Sequence, residues 1–171
     1  IATDLLHESS LQLIRVSPGA LWQLPGWLMQ GKAFMKRRIA ERVSLDASLL
    51  PYRPGVLEAI REARAQGRRV VLATASDRSL ADSVAEHLGI FDEVLASDGV
   101  SNLSGPRKLA AIRADSAGQP FSYAGDGAVD LPVWHGAQSA IVVSGSSSLR
   151  RRVREATQVE AEIDVPRASW R

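Results

Sequence analysis

Helix-like and strand-like segments alternate along the chain from Pro54 onward, and this order constrains the fold more than any other feature. Several short apolar runs have the length and composition of buried strands, and segments with helical periodicity, such as a predicted helix over residues 78–88, separate them. The predicted strands cover residues 69–74, 93–96, 121–124 and 139–143, with an edge strand over residues 159–163. Strands that alternate with helices predict an α/β domain, in which helices cover both faces of a parallel sheet.

The first part of the chain has a different pattern, because it is helical and contains no convincing strand. The predicted helices in this part cover residues 3–15, 20–29 and 32–42. A joint at Pro51–Gly55 separates them from the alternating region. We therefore divide the chain into a helical segment over residues 4–50, an α/β core over residues 51–160 and a C-terminal tail or linker over residues 161–171.

Length and composition limit the chemistry that the chain can perform. Its 171 residues fit one domain with a small insertion, and a hydrophobic content of 45% is enough for a packed core. The absence of cysteine excludes disulfides, thiol nucleophiles and cysteine-based metal sites. The longest apolar stretch, Ala20–Met29, is too short and too interrupted to span a bilayer. The arginine run at residues 150–154 has no interleaved aromatic residues, so we predict a solvated helix face and no nucleic-acid partner.

The most informative run for function lies at residues 123–132, where two aspartates follow a predicted strand and precede a predicted helix. We expect the carboxylates of Asp126 and Asp130 at the C-terminal edge of the sheet, where open α/β folds bind ligands. Neighbouring carboxylates repel each other, so a hard cation such as Mg²⁺ is their natural partner. The alternative for Asp130 is a role as a helix cap. Gly125 and Gly127 would let the backbone approach a ligand or take positive φ.

Two further features precede this run. Thr74 ends an apolar strand, and its hydroxyl, with the amides of Ala75 and Ser76, could hold phosphate oxygens. Lys108 follows a Gly-Pro turn at a helix N-terminus, where a cation is disfavoured unless it pairs with a carboxylate and a transferring phosphoryl group. Taken singly, Thr74, Ala75 and Ser76 can be explained equally well as turn and cap residues, and Lys108 as an ordinary surface lysine. Together with Asp126 they predict phosphoryl transfer.

These residues resemble the motifs of the haloacid dehalogenase-like hydrolase superfamily, and within it the phosphoserine-phosphatase-like branch with a helical cap. Val70–Ser76 resembles the second motif of the family, Lys108 the third and Gly125–Pro132 the fourth. The resemblance covers most of the chain and implies a three-layer Rossmann-like parallel sheet, with residues 4–50 as a small all-helical cap. One departure is Val129, which stands where that branch often carries Asn, and it weakens the transfer of substrate specificity.

The first motif of the family, Asp-x-Asp-Gly-Thr, does not occur in these residues. We expect it on the central strand of the sheet just ahead of Ile1, because a covered sheet without its middle strand leaves two unpaired edges. Its two aspartates would be the nucleophile and the general acid/base. We therefore expect the 171 residues alone not to turn over substrate.

The resemblance also implies a mechanism. An aspartate attacks phosphorus and forms an aspartyl-phosphate, which water then hydrolyses. Asp126 and Asp130 hold Mg²⁺, while Lys108 stabilises the nucleophile and the transition state. The implied phosphate-binding positions are Thr74, Ala75, Ser76, Gly125 and Gly127. The helical cap closes over the site and excludes bulk water.

A second resemblance, carried by Asp4–Glu8 and Ala73–Asp77, is to haloacid dehalogenase-like domains fused ahead of membrane prenyltransferases of the ubiquinone-biosynthesis type. It implies that membrane helices follow Arg171 and that this domain is cytoplasmic. The expected substrate is a phosphorylated small molecule or a lipid phosphate.

Two alternatives to a phosphatase stay open. The first is a catalytically inactive domain of the same fold, which serves as a regulatory or binding module of a larger, membrane-bound prenyltransferase. An Asp-x-Asp pair ahead of Ile1 would support catalysis, and its loss would support the inactive module. The second is a phospho-accepting domain of the response-regulator type, against which the helical segment at residues 3–50 argues.

Overall fold

The computed structural model describes residues 22–41, 46–143 and 145–164, and it confirms the alternation of helices and strands. The helices are α1 (Leu24–Met29), α2 (Lys32–Ala40), α3 (Pro54–Ala65), α4 (Arg78–Leu88), α5 (Pro106–Asp115), α6 (Leu131–Gly136) and α7 (Ser147–Ala156). The strands are β1 (Val71–Asp77), β2 (Glu93–Ser97), β3 (Ser122–Gly125), β4 (Ser139–Val143) and β5 (Gln158–Ile163). Short 3₁₀ turns lie at Ala47–Leu49 and Ala128–Asp130. The helix predicted over residues 3–15 and most of the C-terminal tail lie outside the described residues.

The described residues divide into two compact units. The first contains the described residues up to Tyr52 together with Ile60–Leu103, and the second contains Arg53–Ala59 together with the described residues from Ser104 onward. Strands β1 and β2 form a two-stranded sheet in the first unit, and strands β3, β4 and β5 form a three-stranded sheet in the second. Every pairing is parallel, as predicted. Within the described residues, β1 pairs only with β2 and β3 pairs only with β4, so the strands form two separate sheets.

Among the described residues of the first unit, apolar side chains form two clusters. In the first cluster, Trp27 of α1 and Ile39 of α2 are buried. The partly buried side chains packed against them are Leu24, Phe34 and Met35. The second cluster joins the segment before α3 to α4 and β1, and its members are Ala47, Leu50, Tyr52, Leu72, Val84 and Leu88. Helix α2 also packs against β1.

Strand β1 contains an irregularity near its C-terminal end. Ala73 pairs with Leu95, but the next pair is Asp77 with Ser97, so Thr74–Ser76 stand opposite a single residue of β2. Regular pairing therefore stops at Ala73, and Thr74–Ser76 form a bulge of the kind that often borders a functional site. The side chain of Asp77 caps α4 by accepting a backbone N–H two residues further on at 3.0 Å, which explains why that helix begins at the predicted residue.

The core of the second unit lies between its sheet and helices α6 and α7. Strand β4 runs in the middle of the sheet, between β3 and β5. In the part of this unit that the structure describes, the hydrophobic residues that are 0% exposed are Val133, Trp134, Ala140, Val142 and Val153. Strand β5 is the edge strand that the sequence predicts, and it continues to Ile163. The boundaries predicted after residues 50 and 160 stay a prediction.

Carboxylates of the sheet edge face the arginine run on α7. Arg150 forms ion pairs with Glu162 at 2.9 Å and with Asp164, and Arg154 pairs with Glu162 as well. Arg151 lies 4.0 Å from Glu155 on its own helix. Ion pairs therefore hold much of this basic run against its own unit. Along the part of the chain that the structure describes, no helix combines the length and the apolar character needed to cross a membrane.

Candidate active site

The loop after β3 carries Asp126, the residue predicted to bind a metal ion. Gly125 is the last residue of β3, so Asp126 lies at the C-terminal end of this strand, as predicted. Its side chain is 54% exposed and its Oδ2 lies 3.2 Å from Nη1 of Arg53, which is only 14% exposed. Asp126 is thus an accessible carboxylate with a nearly buried guanidinium beside it.

Lys108 and Asp130 meet inside the second unit, together with Tyr123. The Lys108 ammonium donates to Oδ1 of Asp130 at 3.0 Å and to the hydroxyl of Tyr123 at 2.9 Å. The same Oδ1 accepts the Tyr123 hydroxyl at 2.9 Å. All three residues are less than a tenth exposed, so Lys108 is not a surface lysine. We call these three residues the buried triad.

The electrostatics of the buried triad keep Tyr123 protonated. Burial raises the pKa of its phenol far above the ordinary value, and the negative charge of Asp130 raises it further. A protonated phenol can donate to the carboxylate and accept from the ammonium at the same time. In the triad, the buried ammonium and the buried carboxylate therefore compensate each other's charge, and the neutral phenol hydrogen-bonds to both.

Asp130 precedes α6, but within the described residues its side chain makes no capping bond to that helix. One carboxylate oxygen binds Lys108 and Tyr123, whereas Oδ2 lies on the side of the glycine-aspartate loop. The structure therefore does not support the alternative in which the Asp130 side chain caps the helix. A carboxylate fixed by one oxygen leaves the other available to a ligand.

Gly125 is required for space. A Cβ at this position would lie 2.9 Å from Oδ2 of Asp130, 2.9 Å from the ring of Tyr123 and 3.0 Å from the ring of Trp134. Gly127 has more room, since the nearest atom to its Cβ would be 3.6 Å away on Val129. Neither glycine has positive φ, so close packing explains Gly125 and the alternative of a left-handed backbone does not.

Thr74 lies in the first unit, in the bulge of β1. Its Oγ1 accepts the backbone N–H of Ser76 at 3.1 Å. The Ala75 carbonyl accepts the Ser97 hydroxyl at 3.0 Å and the Lys36 ammonium at 2.6 Å. The structure therefore brings Thr74, Ala75 and Ser76 together in one loop. That this loop and the buried triad serve one substrate stays a prediction.

The oxygen ligands of the second unit suit a hard divalent cation. Mg²⁺ usually keeps several waters and binds proteins through one or two carboxylates. The exposed carboxylate of Asp126 and Oδ2 of Asp130 are oxygens of this kind, on one loop. In the described ranges, no three acidic or histidine side chains come together as a complete metal site. The two carboxylates are thus of the chemical type that Mg²⁺ binds, and their role as its ligands stays a prediction.

Sequence reasoning assigned no role to Tyr123 or Arg53. A signal for Tyr123 was present, because a hydroxyl in a buried strand needs a hydrogen-bond partner, and Lys108 and Asp130 supply it. For Arg53 the joint before α3 gave no such signal. Its pairing with Asp126 depends on a contact between segments far apart in the sequence.

A family model and a curated relative match the chain. The model for haloacid dehalogenase-like hydrolases matches residues 27–135. The uncharacterized protein y4nM of Sinorhizobium fredii is 39% identical over 157 residues, which are 91% of this chain and 30% of that protein. The chain therefore spans less than a third of the length of this curated relative.

Several solved structures share the fold. A probable phosphoserine phosphatase from Vibrio cholerae, unliganded, has a TM-score of 0.63 at 16% identity over 89% of this chain and 56% of its own. A substrate-bound phosphoserine phosphatase complex has a TM-score of 0.55 at 16% identity, over 80% of this chain and 70% of its own. A protein of unknown function from Bordetella pertussis has a TM-score of 0.53 at 16% identity, over 95% of this chain and 75% of its own.

At such low identity the similarity to these structures establishes a Rossmann-like α/β fold. It does not indicate a substrate for this chain. The family model spans the second, third and fourth motifs, and it ends at His135, after the aspartate pair. The chain belongs to the haloacid dehalogenase-like hydrolase family.

Proposed function

We propose that this domain is a Mg²⁺-dependent phosphatase that transfers a phosphoryl group to an aspartate and then to water. The observation that carries the proposal is the buried pair of Lys108 and Asp130 beside the Gly125–Asp126 loop. An ammonium held in place by a carboxylate at a ligand-binding sheet edge is well suited to stabilise charge on a phosphoryl group. Membership of a hydrolase family supports the same reaction class.

Each residue of the candidate site has one task in this proposal. The Thr74 hydroxyl and the neighbouring amides bind phosphoryl oxygens, and Lys108 stabilises the charge that develops in the transition state. Asp126 and Oδ2 of Asp130 would hold Mg²⁺, which when bound neutralises negative charge on the phosphoryl group. We assign the nucleophile and the general acid to an Asp-x-Asp pair, which residues 1–171 do not contain.

The test is phosphate release by the full-length gene product, measured with and without Mg²⁺. We expect Mg²⁺-dependent release, and we expect Asp126→Asn to reduce kcat/KM by about a hundredfold or more. Asp82→Asn is the matched control, because Asp82 is an exposed aspartate on α4 that pairs with Arg78. Equal activity in the Asp126 and Asp82 variants would contradict the metal role of Asp126.

A second candidate function is a non-catalytic module of a longer protein. The observation in its favour is the curated relative, of which the chain covers only 30%. In this case the domain would bind a phosphorylated small molecule or a lipid phosphate next to a membrane-bound prenyltransferase. Phosphate binding without any release of phosphate by the full-length gene product would favour this module over the phosphatase.

A further inference from the structure

Lys36 of α2 contacts the candidate phosphate loop, although no motif contains it. Its ammonium donates to the backbone carbonyl of Ala75 at 2.6 Å and to Oδ1 of Asn102 at 3.1 Å. All three residues belong to the first unit. One lysine therefore links the helical segment, the bulge of β1 and the loop after β2.

Two donors fix the Ala75 carbonyl. Besides Lys36, the hydroxyl of Ser97 donates to this oxygen at 3.0 Å. Ser97 is 1% exposed and in turn accepts the backbone N–H of Leu103 at 3.0 Å, so its own position is well determined. A charged donor forms a stronger hydrogen bond than a neutral one. The carbonyl is therefore held mainly by the ammonium.

Fixing this carbonyl also fixes the next amide. The peptide unit is planar and trans, so the N–H of Ser76 points away from the Ala75 carbonyl. This N–H donates to Oγ1 of Thr74 at 3.1 Å. A hydroxyl has one donor and two acceptor positions. Because the oxygen of Thr74 accepts from Ser76, its proton is directed toward a different acceptor, such as a phosphoryl oxygen.

We propose that Lys36 is a positioning residue for phosphate binding, which acts on Thr74 through the Ala75–Ser76 peptide. The inference rests on the proposed phosphatase function and adds a residue of the helical segment to it. Without the ammonium the peptide can rotate, which turns the Ala75 carbonyl toward the anion and releases the Thr74 hydroxyl. Lys36 also brings a positive charge to the loop that receives the anion.

The experiment compares Lys36→Met with Lys32→Met in the full-length gene product. Lys32 is exposed on the same helix, so both variants remove one positive charge from α2. Inorganic phosphate is the probe for binding, and KM and kcat are measured for phosphate release. We expect Lys36→Met to weaken phosphate binding and raise KM about tenfold, with kcat changed by less than about twofold. Lys32→Met should leave both constants unchanged.

A double-mutant cycle with Thr74→Val tests the route of the effect. If Lys36 acts through Thr74, Lys36→Met should have little further effect on KM in the Thr74→Val background. Full additivity would overturn the proposal, as would equal effects of the two lysine variants. A purely structural role would lower kcat by reducing the folded fraction and would leave KM unchanged.

Asn102→Ala provides a second variant if Lys36→Met does not fold. It removes one acceptor of the ammonium and should weaken phosphate binding in the same direction by a smaller factor. Unchanged phosphate binding in Asn102→Ala would then contradict the proposal. If the wild type has Mg²⁺-dependent activity that Asp126→Asn reduces, while Lys36→Met leaves phosphate binding and KM unchanged, the inference fails alone. If the wild type neither binds nor releases phosphate, the proposed function fails with it.

Discussion

Lys108 is the residue whose environment is hardest to explain without a function. A buried charge is costly unless a partner compensates it, and replacing a whole buried ion pair with apolar side chains is often neutral or stabilising. The buried triad therefore contributes less to stability than its short contacts suggest. The triad instead holds the Lys108 ammonium in a fixed position near the Asp126 loop. In the proposed phosphatase, this ammonium stabilises charge on the phosphoryl group.

Removing one partner of the pair should be much more damaging than removing a surface charge. We expect Lys108→Met to lower the free energy of unfolding by about 3–5 kcal/mol, because the Asp130 carboxylate is left buried without its cation. Arg107→Met, an exposed change on the same helix, should cost less than about 0.5 kcal/mol. Urea denaturation measures both values, and equal losses in the two variants would refute the buried charge pair.

The two glycines of the aspartate loop should respond differently to alanine. In Gly125→Ala the new Cβ would lie 2.9–3.0 Å from atoms of Asp130, Tyr123 and Trp134, which is closer than normal van der Waals contact. Overpacking of this kind costs about 1–3 kcal/mol. Gly127→Ala adds a methyl group where the nearest atom is 3.6 Å away, so we expect a change of less than about 0.5 kcal/mol. Thermal unfolding of the two variants compares them, and a larger loss for Gly127→Ala would contradict the packing.

At the scale of the elements, the sequence predicts best where local chemistry ends a helix or strand. Helix α4 has the predicted bounds of residues 78–88, since Asp77 caps its first turn and Gly89 ends it in the left-handed region with φ of 61°. Strand β4 also has its predicted bounds. The bulge at Thr74–Ser76 was not predicted, because its cause is pairing with β2 and contacts from α2 and Ser97.

Asp92 joins α3 to the start of β1, and it makes this contact sensitive to acid. The backbone N–H of Val70 and then the guanidinium of Arg64 lower its pKa below the ordinary value of 3.8. A carboxylate with a lowered pKa in the folded state stabilises the fold above its unfolded pKa and loses this effect as pH falls through the folded value. Its contribution is therefore complete at neutral pH and disappears on acidification below about pH 4.

We expect Asp92→Asn to lower the melting temperature at pH 7, with the difference from wild type narrowing as the pH falls below about 4. Melting curves at a series of pH values measure this difference. Asp82→Asn is a suitable control, because the carboxylate of Asp82 has a weaker contact, 3.6 Å from Arg78. A difference between wild type and Asp92→Asn that grows toward low pH would contradict the assignment.

For the molecule as a whole, the sequence predicts candidate site residues but not the side-chain contacts that they make. The motifs point to Thr74, Lys108, Asp126 and Asp130, and the part of these residues in phosphoryl transfer stays a prediction. The motifs do not point to Arg53, which contacts Asp126, or to Lys36, which contacts the Ala75 carbonyl, since these side chains come from joint or helical segments without a motif. Long-range side-chain contacts leave little trace in local periodicity.

The central claim is the proposal that Lys108 stabilises a phosphoryl group whose charge Mg²⁺ at Asp126 balances. The most direct test is a crystal structure of the full-length gene product with Mg²⁺ and vanadate as a phosphate analogue. We predict that Lys108 Nζ lies within hydrogen-bond distance of the vanadate, and that Asp126 coordinates the Mg²⁺. Vanadate bound away from Lys108, or Mg²⁺ bound away from Asp126, would contradict the claim.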